Sequence, residues 1–79
     1  MNADVSIADF VVHIHPELTA DQRARIEEVV SSTDGVVSVH FSGEHPHALV
    51  VAYVPEAISS EAVLAEIRKW DANAVMASL

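Results

Sequence analysis

The chain contains no cysteine, only two glycines and three prolines, and only four basic residues in 79. The missing cysteine excludes disulfides, zinc–thiolate sites and a cysteine nucleophile. So few glycines and prolines exclude a low-complexity chain, and no glycine-rich loop is present to cradle a phosphate. The cations Arg23, Arg25, Arg68 and Lys69 stand against twelve Asp and Glu, a formal charge of −8. A nucleic-acid backbone needs a basic stripe, so nucleic acid is excluded as a partner, and an anionic membrane surface repels such a chain. No apolar run approaches the ~20 residues that span a bilayer, so no membrane insertion is expected. Met1-Asn2-Ala3-Asp4 lacks the basic region and apolar stretch of a signal peptide, and a cytoplasmic setting is expected.

What the chain does have is 51% hydrophobic residues spread throughout. Its length supports a single domain, residues 1–79. In residues 8–15, Phe10, Val12 and Ile14 alternate with Val11, His13 and His15, the period of a strand, and Pro16 closes it. Thr19 with Gln22 three residues on is a capping-box pattern. Ile26, Val29, Val30 and Thr33 then follow helical spacing, and Asp34-Gly35 is the expected helix stop. Residues 36–41 form a second strand with Val37, Val39 and Phe41 on one side and Ser38 and His40 on the other. Residues 42–46 carry turn chemistry. Residues 48–54 form a third strand, apolar on both sides and therefore central. Ser59 or Ser60 caps a second helix with Val63, Leu64, Ile67 and Trp70 as its stripe. Residues 74–79 make a last strand.

The order β-α-β-β-α-β with right-handed crossovers predicts an α+β ferredoxin-like sandwich: a four-stranded antiparallel sheet with two helices on one face. Within this topology, acylphosphatases need an arginine in the first loop, which here is the acidic Pro16-Glu17-Leu18. RNA-recognition versions need exposed aromatics on the central strands, and none is present. No nucleophile stands in a recognisable setting, so the chain is not expected to be an enzyme.

Ile26 and Val30, Gly35-Val36, Tyr53-Val54-Pro55, and Val63 with Ile67 are packing positions whose spacing over residues 8–77 resembles the heavy-metal-associated domain of copper chaperones and metal-transporting ATPases. The resemblance implies the same fold, a metal bound at the first loop, and docking onto a larger protein such as a metal transporter. It also places the metal-binding sulfurs of that domain at Glu17, Thr19 and Gln22, none of which is a sulfur ligand. The Cu(I)–thiolate function therefore does not carry over.

Five histidines remain: His13, His15, His40, His45 and His47. The expected topology brings all five to one end of the sheet, the end where the resemblance places the ion. Two His-x-His pairs occur, and alternate strand residues lie roughly 6.5–7 Å apart on one side. Imidazole suits zinc, nickel, copper(II) and cobalt, and Glu17 or Glu44 could add an oxygen. The expected function is thus a small soluble domain that binds a divalent metal through histidines in a buffering or delivery role. The alternative is a metal-free interaction or dimerisation module, in which Val11, Val50 and Ala52 on the open face of the sheet meet a second copy or another protein.

Overall fold

A computed structural model describes residues 6–77. In chain order it contains β1 (Ala8–His13), α1 (Ala20–Ser31), β2 (Val36–Phe41), β3 (Ala48–Tyr53), α2 (Ser60–Arg68) and β4 (Val75–Met76). The four strands form one antiparallel sheet in the order β2-β3-β1-β4, so the apolar β3 is indeed interior. This is the ferredoxin-like sandwich.

Period-two alternation sends Phe10, Val12 and Ile14 from the first segment, and Leu49 and Val51 from β3, to the helix-covered face. Ile26 and Val30 of α1, with Val63, Leu64 and Ile67 of α2, close the core from above. Phe10 packs edge-to-face on Tyr53, with centroids 5.4 Å apart and planes at 84°, the arrangement that the aromatic quadrupole favours. The opposite face of the sheet is covered by neither helix. Cross-strand partners point the same way, so the register aligns three rows there: Val75, His13 and Ala48; Val11, Val50 and His40; Asp9, Ala52 and Ser38.

Several expected boundaries move. β1 ends at His13 rather than His15, although Ile14 continues into the core. α1 ends at Ser31 with Ser32 as its C-cap, before Gly35 is reached. The hydroxyls explain this: Ser31 Oγ and Ser32 Oγ both donate to Glu28 O at 2.9 Å, and Thr33 Oγ1 donates to Val29 O at 3.1 Å. Such side-chain bonds compete with the next helical turn. In β2 the register shifts between Val36 and Ser38, so half-buried Val36 packs against the core and Val37 is exposed. A bulge of this kind adds one residue to a strand and inverts the faces before it. α2 stops at Arg68, which leaves Trp70 46% exposed, off the stripe. β4 is shorter than expected, and residues 78–79 of the expected strand lie outside the described residues.

Candidate functional site

Because β1 and β2 both run antiparallel to β3, one end of the sheet gathers three loops. They are the turn after β1 (residues 14–19), the β2–β3 hairpin (42–47) and the α2–β4 turn (69–74). All five histidines lie at or beside this end. His13 closes β1 on the open face, opposite Ala48 and Val75. The hairpin is shaped by Ser42, whose Oγ accepts from the backbone N–H of Glu44 and of His45, both at 3.2 Å. Ser42 N donates to Ala48 O at 2.9 Å, and Ala48 N donates to His45 O at 2.8 Å. Ile14 N donates to His47 O at 3.0 Å, extending the β1–β3 pairing one residue beyond the strand. The result is a depression of about 570 Å³ on the open face, lined by His13, His45 and His47 together with Val11 and Val50.

The other expected ligands do not line it. His40 sits one row away, opposite Val50. His15 lies beyond the end of β1, where its backbone N–H donates to Asp71 Oδ2 at 2.7 Å and its Nδ1 accepts from Glu17 N at 3.1 Å. An imidazole nitrogen that accepts a hydrogen bond leaves the ring proton on the other nitrogen. His15 must give up that local bond before its Nε2 can coordinate an ion. Glu17 and Glu44 are exposed on their loops and do not line the depression either. Among the described residues no three His, Asp or Glu side chains group closely enough to hold an ion. The five-histidine set expected from the sequence is therefore not assembled within one chain, because its members divide between two rows of the open face, a turn and a hairpin.

One contributor to this end escaped sequence reasoning. Asp71 is buried at 6% exposure, accepting from His15 N through one oxygen and from Asn73 N at 3.1 Å through the other. Its spacing to Asn73 is an Asx-turn signal, but the partner 56 residues away has no local signature.

Three solved structures share this chain's fold. A Bacillus anthracis protein assigned to copper-ion binding superposes with a TM-score of 0.75 at 12% identity, covering 94% of this chain and all of its own. A copper-bound point variant of CopA from Bacillus subtilis gives 0.68 at 18% identity, with 91% of each chain covered. The CsoZ metallochaperone gives 0.71 at 18%, covering 92% of this chain and 100% of its own. The fold of this chain is the one these three structures share. No family model matches the sequence, and no curated protein matches it closely enough to count as a relative.

Within this fold, the first loop is used differently from what the resemblance implies for a sulfur site. Thr19 Oγ1 accepts from Gln22 N at 3.1 Å, and Gln22 Oε1 accepts from Thr19 N at 2.8 Å, the reciprocal capping box expected from the sequence. Both side chains are thereby committed to starting α1. Thr19→Ala should cost about 1 kcal/mol, read as a lower urea midpoint at unchanged slope. An unchanged midpoint would remove the cap from the account of α1.

The charge distribution follows the composition. All four cations have partners within the chain: Arg23 Nη1 donates to Leu18 O at 3.1 Å and Arg68 Nε to Ala74 O at 2.8 Å, while Arg25 pairs with Glu28 and Lys69 with Glu66. The first two staple the loops of the histidine-bearing end. They leave no basic patch among the described residues, and no helix there is long and apolar enough to cross a membrane.

Proposed function

We propose that this chain is a non-catalytic metal-binding domain that takes up a divalent transition metal on imidazoles of its open sheet face. The observation that carries the reading is the convergence of His13, His45 and His47 on one depression at the end of a copper-chaperone fold. A cysteine-free chain offers no thiolate to Cu(I), whereas neutral imidazole suits zinc, nickel, cobalt and copper(II). A buffering or delivery role in the cytoplasm fits so small a domain, with a larger metal-handling protein such as a transporter as the recipient. His15, His40, Glu17 and Glu44 serve at most as auxiliary donors after local rearrangement.

A titration with zinc, nickel and copper(II) at neutral pH, followed by NMR of the imidazole resonances, tests this. Saturable changes should concentrate on His13, His45 and His47 and be small at His15 and His40. His13→Ala with His47→Ala should weaken the affinity at least about tenfold, since even residues that only support a metal ligand cost 10–100-fold when removed. Rings that stay indifferent to all three ions would end the metal reading.

A second reading has its own observation. Val11, Val50 and Ala52 form an uncharged centre on the open face, covered by no helix or strand among the described residues. If no metal binds, this face is the surface of an interaction module.

A further inference from the structure

The open face holds two features that one chain leaves incomplete. Three histidines line the depression, yet among the described residues no three potential ligands group within reach of one ion. Zinc is ordinarily held by four protein ligands, or by three and a water. Apart from Ser42, the lining around those histidines is apolar, namely Val11, Ala48, Val50 and Ala77. Covering this lining desolvates no carboxylate or cation, Asp9 lying one row further along the sheet, and the removed apolar area favours association.

From these observations we propose that one divalent zinc ion bridges two copies of this chain, open face to open face, with His13 and a hairpin imidazole, His45 or His47, supplied by each copy. The inference rests on the metal-binding reading above and adds the identity of the missing ligands. A two-fold arrangement sets the same patch against itself, so a site short of ligands on one copy is completed by its equivalent on the other. Sheets packed face to face lie about 10 Å apart, which puts a central ion about 5 Å from each sheet, a distance that histidine side chains can span. Charge selects the second copy only when metal is present. Each chain carries −8, so bare copies repel, and a dication at the interface offsets part of that repulsion. Val11 and Val50 then pack across the two-fold axis beside the ion.

The test is a zinc titration of the whole chain at neutral pH, with calorimetry for stoichiometry and light scattering for mass. The mass should double from 8.5 kDa as zinc saturates at half an equivalent per chain, and a chelator should restore the monomer. His13→Ala should abolish the doubling. Val50→Lys, which leaves every imidazole in place but puts a charge on the face, should abolish it too. His40→Ala should leave it intact. Circular dichroism establishes that each variant is folded. Saturation at one zinc per chain with no change of mass overturns the bridge while the metal-binding reading stands, and absence of zinc uptake overturns both. Doubling without metal, or doubling lost equally in His40→Ala, also overturns the bridge: the first would be a metal-free dimer, the second general surface cross-linking.

Discussion

Replacing Gly35 by alanine is expected to lower the melting temperature by roughly 12–24 °C. Gly35 has a φ of +94°, the one positive-φ residue among those described, in the turn between α1 and β2. A left-handed backbone costs an L-residue about 1–2 kcal/mol. A Cβ here would also stand 2.8 Å from Ile58 Cγ2 and 3.0 Å from Ala57 Cβ, in the turn that leads into α2. Overpacking of this kind costs about 1–3 kcal/mol. The stiffer unfolded chain of alanine returns only about 0.4–1 kcal/mol, leaving a net loss of about 3 kcal/mol. For a domain of this size each kcal/mol moves the melting temperature by about 4–8 °C. The backbone cannot easily relax, because Gly35 O accepts from Val54 N at 2.8 Å and holds the two turns together. Gly35→Asn separates the causes: asparagine tolerates positive φ better than alanine but carries the same Cβ. It should fall between wild type and alanine. An alanine variant melting within two or three degrees of wild type would refute the close approach.

Gly35 also marks where the sequence was legible and where it was not. Its place near the end of α1 was read correctly, but as the stop of the helix. The stop is set earlier by Ser31, Ser32 and Thr33 bonding back to the carbonyls of Glu28 and Val29, a choice that hydrophobic spacing does not record. The N-termini were clearer. Thr19 with Gln22, and Ser59, are local signals whose partners lie three residues away. Strand pairing followed from alternation in β1 and β3, where one face must be buried. It failed only at Val36 and Val37, because a period of two cannot reveal an inserted residue. The candidate site was legible as far as topology goes, since strand directions alone bring the histidines to one end. Which of them face the same depression depends on β1 ending at His13 and on the hairpin closed by Ser42. His15 is held by a contact from the far end of the chain, and nothing local predicts it.

That contact supports the second large effect. Asp71→Ala should destabilise the chain by about 1–3 kcal/mol and loosen the histidine-bearing end more than the rest. The buried carboxylate accepts from two backbone donors, His15 N at 2.7 Å and Asn73 N at 3.1 Å. Alanine leaves both half-buried N–H groups without that acceptor; a fully buried donor stripped of its partner costs about 1–3 kcal/mol, and one that water can reach costs less. The loss is concentrated because Asp71 joins the start of the first loop to the turn entering β4, while Arg23 and Arg68 brace the same two loops from either side. Asp71→Asn keeps one acceptor oxygen and should recover roughly half the loss. Hydrogen exchange distinguishes local from global loosening. Faster exchange at His15, Asn73 and residues 16–18, with Ile26, Leu49 and Ile67 still protected, is the expected pattern. Because the clamp fixes His15 rather than the depression, zinc affinity at His13 and the hairpin should survive Asp71→Asn within about threefold, a change worth well under 1 kcal/mol. Uniformly faster exchange throughout the sheet would show that Asp71 supports the whole core, and an unchanged melting temperature in Asp71→Ala would show that solvent satisfies both donors.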